Sequence, residues 1–209
     1  MVKLDNDKRG WIKFMVSLFI AVVISIILIA ILNVYLKKKY KDEIKKEHYI
    51  FGYLFLLYLF IALISAGIPT LSELRLMSNY NPIINYIPLS SEINITTILN
   101  IIFFMPFGFL LPTLWSKFRK IIPTLGVSLG FSIIIEISQL FNNRATDIDD
   151  LIMNTLGALL GYLLFNILSK VFKKVASNTN INRNLSNGML AEVEPYLYIV
   201  ISLVGVFIS

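Results

Sequence analysis

Between Glu136 and Gly161 the chain gathers side chains that can do chemistry: Glu136, Gln139, Arg144, Asp147, Asp150 and Asn154. Two carboxylates brought close together push each other's proton affinities apart, which suits general acid and base work. Carboxylate oxygens are also the hard ligands that Mg²⁺ or Ca²⁺ prefer. An Arg between acids can bridge two of them with its planar fork. The chain has one His and no Cys, so no His or Cys pattern with metal-ligand spacing accompanies these residues. Neither a metal nor another cofactor is expected, and no nucleophile motif identifies a catalytic residue.

The spacing shows how such groups are positioned. Ser128, Ser132, Glu136, Gln139 and Asn143 recur at intervals of four, four, three and four, which puts them on one stripe of a helix. Asp150, Asn154, Gly157 and Gly161 repeat the pattern at four, three and four. Gly157 and Gly161 form a small-residue pair of the kind that lets membrane helices approach closely. Asn100 lies in a third apolar run ahead of Pro106 and Gly108, in the sequence F-M-P-F-G-F-L-L-P. Pro106 frees the carbonyl four residues earlier, so a kink is expected near Ile102.

The elements that carry these stripes are membrane spans. Of 209 residues 56% are hydrophobic and 15% charged, and the mean hydropathy is +0.74. Apolar runs at 11–36, 49–68, 95–115, 121–141 and 150–172 are each long enough for a hydrocarbon core of roughly 30 Å. Satisfying the backbone in lipid then requires helices, and the runs lack the alternation of a β-barrel. The expected fold is an all-α, polytopic transmembrane helix bundle of five to six spans.

Residues 1–48 comprise an N-terminal transmembrane helix and a basic loop, and residues 49–172 a four-helix membrane core. Residues 173–194 form an Asn-rich linker, and residues 195–209 a short C-terminal apolar helix of about 22 Å. The connection 69–94 reads as a lid, a binding segment or irregular surface. His48, at a membrane edge, is expected to be solvated.

Basic residues orient the bundle. Segments 37–48, 116–120 and 170–194 hold thirteen of the nineteen Lys and Arg residues, whereas connections 69–94 and 142–149 hold one each. By the positive-inside rule the first set is cytoplasmic and the polar cluster opens outward, although Lys3, Lys8, Arg9 and Lys13 at the N-terminus oppose this arrangement. Anchoring to anionic lipid accounts for the net charge of +6, so nucleic acid is not an expected partner. The lipid bilayer is. The oligomeric state is not written in the sequence.

The run N-I-I-F-F-M-P-F-G-F-L-L from Asn100, followed by Glu136, Gln139, Arg144, Asp147, Asp150, Asn154, Gly157 and Gly161, resembles the VanZ-like family of bacterial membrane proteins. The segment N-P-I-I-N-Y-I-P-L from Asn81 adds to the likeness. The resemblance covers about residues 49–172. It implies a multi-pass protein of the bacterial plasma membrane with a role in the cell envelope. The family is named for a member that confers low-level resistance to the glycopeptide antibiotic teicoplanin. A lipid-linked peptidoglycan precursor is the partner this implies. The family supplies no proven catalytic residues to carry over.

Helix geometry then places Glu136 and Asn100 about 8 Å and Asn154 about 6 Å below the same membrane face. They should line one polar pocket, with two amides and Arg144 as donors to Glu136 and with Gly157 and Gly161 closing its floor. Plainer roles compete. Asp147 is a natural N-cap for the last core helix, with Asp149 and Asp150 in its first turn. Ser128 and Ser132 read as packing or back-bonding residues. Three function classes stay open: a cell-envelope protein acting in glycopeptide resistance, an intramembrane enzyme on lipid-linked wall precursors, and a small transporter.

Overall fold

A computed structural model describes residues 2–40, 44–76, 83–85, 87–88, 95–141, 145–181 and 189–209. It is an all-α bundle. Helix α1 (Val2–Tyr40) contains the apolar stretch Met15–Leu36. Helix α2 (Lys46–Ala66) ends at Gly67, whose left-handed backbone (φ 72°, ψ 44°) suits a residue without Cβ. There Gly67 and Ile68 donate their N–H groups back to Ile64 and Leu63, a Schellman closure that satisfies the last carbonyls.

Within the long connection, Thr70 and Glu73 cap helix α3 (Leu71–Leu76) reciprocally. The Thr70 N–H donates to Glu73 Oε2 at 2.7 Å and the Glu73 N–H to Thr70 Oγ1 at 3.3 Å. Strand β1 (Ile83–Asn85) follows.

Helix α4 (Ile95–Leu114) continues through both Pro106 and Pro112, and a short 3-10 turn (Ser116–Arg119) leads to α5 (Ile121–Gln139). Strand β2 (Ala145–Asp147) pairs in parallel with β1, matching Ile83 with Ala145 and Asn85 with Asp147. Helix α6 (Ile148–Val171) follows directly, then α7 (Lys173–Asn178) and α8 (Met189–Phe207). The long connection 69–94, read as a lid, a binding segment or irregular surface, thus meets the short turn after α5 in a small sheet. Helical periodicity cannot reveal such pairing between segments 62 positions apart.

Among the described residues, five helices are long and apolar enough to cross a membrane: Met15–Leu36 of α1, and α2, α4, α5 and α6. Large apolar side chains on their outer faces, such as Ile31, Leu57, Ile102 and Ile167, are exposed, as lipid-facing residues are. The interior is aromatic. Phe107 and Phe131 stack at 4.9 Å, and Phe55 meets Phe107, Trp115 and Tyr198.

The tightest pairing joins α4 and α6. A Cβ on Gly157 would overlap the carbonyl oxygen of Ile101, one on Gly161 that of Met105, and one on Gly108 that of Ala158. Ile101 and Met105 advance in step with Gly157 and Gly161, so the two helices run parallel and both begin at the same end of the bundle.

His48 corrects an expectation. It is 1% exposed rather than solvated. Its Nε2 lies 3.2 Å from Glu194 Oε1 and its Nδ1 lies 2.8 Å from the Thr179 carbonyl oxygen. Trp115 Nε1 donates to the other Glu194 oxygen at 2.8 Å. Glu194 stands on α8, 146 positions away, so no local spacing exposes the pair. Just after α7 the chain touches the core. Ile181 forms a bridge with Trp115, and its N–H donates to Leu114 at 2.9 Å. Helix α8 starts earlier than the final apolar run and packs on α1 and α2.

Candidate functional site

Because α4 and α6 start at the same end and α5 finishes there, three polar positions fall at one level. Asn100 lies in the second turn of α4, Glu136 in the last turn of α5 and Asp150 in the first turn of α6. They line one cavity of about 410 Å³ with Gln139 and Asn154. The rest of the wall comes from α2 (Ala62, Ser65, Ala66), from Thr96, Leu99, Phe103 and Phe104 of α4, and from Ile135.

The partners differ from the expected ones. Glu136 is 4% exposed, and its Oε2 accepts the backbone N–H of Asp147 at 3.1 Å rather than an amide side chain. The hydroxyl of Thr146 donates to the Glu136 carbonyl oxygen at 3.2 Å, so β2 folds back over the end of α5. Asn100 Nδ2 donates to Asp150 Oδ1 at 2.5 Å, linking α4 to α6. Asn154 Nδ2 donates at 2.8 Å to Oγ of Ser132, which thereby joins α6 to α5. Gln139 Nε2 donates to the carbonyl oxygen of Ala66 at 2.9 Å, fastening α5 to the end of α2.

Asp147 does not line the cavity. It is the N-cap of α6, with Oδ1 accepting from the Asp149 N–H at 2.9 Å, while Oδ2 accepts from Asn85 Nδ2 at 3.2 Å. Asn85 belongs to the segment beginning at Asn81 that carries part of the resemblance, and no local spacing signals its contact with a cap 62 positions away. Arg144, expected beside these acids, lies outside the described residues. Ser128 turns its hydroxyl back on its own helix, to the Thr124 carbonyl. Pro106 sits within α4 between Met105, against which Gly161 packs, and Gly108. Among the described residues no group of three or more His, Asp or Glu side chains is disposed to hold a metal ion.

What the arrangement offers is a mainly apolar recess with two carboxylates inside a membrane bundle. A model of the VanZ/LLP1 family matches residues 14–169. The chain belongs to that family. The match takes in the whole cavity and also most of α1, beyond the four spans on which the sequence resemblance rested. No curated protein matches the chain, and neither does any solved structure. As a VanZ/LLP1 protein with five candidate spans it is a multi-pass membrane protein.

Proposed function

We propose that this VanZ/LLP1 protein acts in the bacterial cell envelope. Its cavity opens outward from the plasma membrane, holds the polar part of a lipid-linked wall precursor, and so lowers susceptibility to teicoplanin-type glycopeptides. The observation that carries the reading is the 410 Å³ cavity itself, in which Glu136 and Asp150 stand beside Leu99, Phe103 and Phe104. Acids set at membrane depth are costly and serve a purpose there. A recess of this size with a few polar groups on an apolar wall is the usual form of a small-molecule site. The outward direction rests on the concentration of Lys and Arg at the opposite end.

The test is growth inhibition by teicoplanin in a susceptible bacterium with and without the chain. Raised tolerance supports the reading, and identical inhibition at equal membrane levels contradicts it. A second reading, an intramembrane enzyme on the same class of precursor, is favoured by two carboxylates lining one cavity. Glu136 and Asp150 would then divide acid and base roles. Conversion of the precursor by the purified chain would distinguish the enzyme from a binding protein.

A further inference from the structure

The hydrogen-bonding groups of the cavity lean towards acceptors. Each of its three amide groups spends an N–H within the protein: Asn100 on Asp150, Asn154 on Ser132, and Gln139 on the Ala66 carbonyl. Acceptor capacity remains at the two acids and at Gln139. Glu136 has spent Oε2 on the Asp147 N–H, and Asp150 has spent Oδ1 on Asn100. Gln139 is 7% exposed, and its Oε1 is buried without a hydrogen-bond partner among the described residues. A buried acceptor left without a donor costs about 1–3 kcal/mol, so this oxygen calls for a donor that the described chain does not provide. Among the described residues no Lys, Arg or His lines the cavity, so neither acid has a cationic partner there. An anionic phosphate would meet two acids here and, among the described residues, no cation. The apolar part of the wall, Leu99, Phe103, Phe104 and Ile135, has the character to hold an alkyl segment.

We infer that the cavity receives a primary ammonium group carried on an alkyl chain, with Glu136, Asp150 and the Gln139 carbonyl oxygen accepting its N–H donors. An ammonium offers three donors and no acceptor, the complement of this wall. It deepens the proposed function, on whose reading of the cavity as a binding site it rests. Two sources share the chemistry: the headgroup of an aminophospholipid, and a lysine side chain on a lipid-linked wall precursor.

The experiment is native mass spectrometry of the full chain released from detergent. One series offers phosphatidylethanolamine, phosphatidylcholine and phosphatidylglycerol with matched acyl chains. A second offers a lipid-linked disaccharide pentapeptide whose stem lysine is free or N-acetylated. At least tenfold preference for a free ammonium over its methylated or acetylated counterpart is expected, and the series that shows it names the source. The preference should vanish in E136Q/D150N and persist in S138A.

Equal retention of phosphatidylcholine overturns the proposal, since it shows that the chain alone is held. Preference for phosphatidylglycerol overturns it in favour of an anion site. Selective ammonium binding that appears only in R144Q also overturns it, because Arg144 would then be the resident cation. A chain that raises teicoplanin tolerance without selecting an ammonium removes this ligand and leaves the proposed function standing. Selection without tolerance does the reverse.

Discussion

Asn100 Nδ2 donates to Asp150 Oδ1 at 2.5 Å, so a single bond between the early turns of α4 and α6 fixes the wall of the cavity. Below it the same two helices touch backbone to backbone at Gly157 and Gly161. Asn100→Leu removes the donor and leaves the Asp150 carboxylate under-satisfied, which should cost about 1–3 kcal/mol. A double-mutant cycle with Asp150→Leu, read by thermal unfolding in detergent, should show coupling well above additivity. Additive losses would mean that the two side chains do not depend on each other.

Gly157→Ala and Gly161→Ala each place a methyl group against a backbone carbonyl of α4, which cannot rotate away. Each should destabilise by at least about 1–3 kcal/mol, the ordinary cost of overpacking. Gly126→Ala is the control, because nothing lies within 4 Å of its added Cβ. That control should be neutral or stabilising by up to about 1 kcal/mol through helix propensity. Equal behaviour of all three variants would contradict close packing of α4 on α6.

At the opposite end, His48→Leu leaves Glu194 buried at 0% exposure with, among the described residues, Trp115 alone donating to it. Breaking a buried pair by removing one partner costs on the order of 3–5 kcal/mol. Replacing both residues, in His48→Leu/Glu194→Leu, should recover part of that loss. A loss below about 1 kcal/mol from the single substitution would be the behaviour of an exposed pair, and would contradict the burial of this cluster.

Much of the architecture was legible in the sequence because it follows from period and length. The ends of α4, α5 and α6 lie within two or three positions of where hydropathy puts them, and the two polar stripes contain Glu136, Gln139, Asp150 and Asn154, which line the cavity with residues of α2 and α4 that no stripe marks. Bonds between distant segments were not legible. The pairing of Ile83–Asn85 with Ala145–Asp147, the use of the Asp147 N–H by Glu136, and the His48–Glu194 contact each join segments whose meeting no local pattern encodes. Ser132 is a similar case. A serine on an apolar helix has the same local sequence whether it packs or, as here, receives Asn154.

The orientation is open to direct measurement. The chain has no native Cys, so Thr146→Cys in β2, beside the cavity, gives a single labelling site. A membrane-impermeant maleimide should label it in intact cells. Labelling only after permeabilisation would invert the topology and remove the wall-facing function.

The most direct test of the central claim, that the cavity around Glu136 carries the function, is the teicoplanin tolerance conferred by Glu136→Gln. Glutamine keeps the shape of the side chain and an oxygen for the Asp147 N–H, so insertion and folding should be unchanged. Tolerance should fall to the level of cells lacking the chain while the variant accumulates normally in the membrane. Full tolerance from a normally inserted Glu136→Gln chain would contradict it.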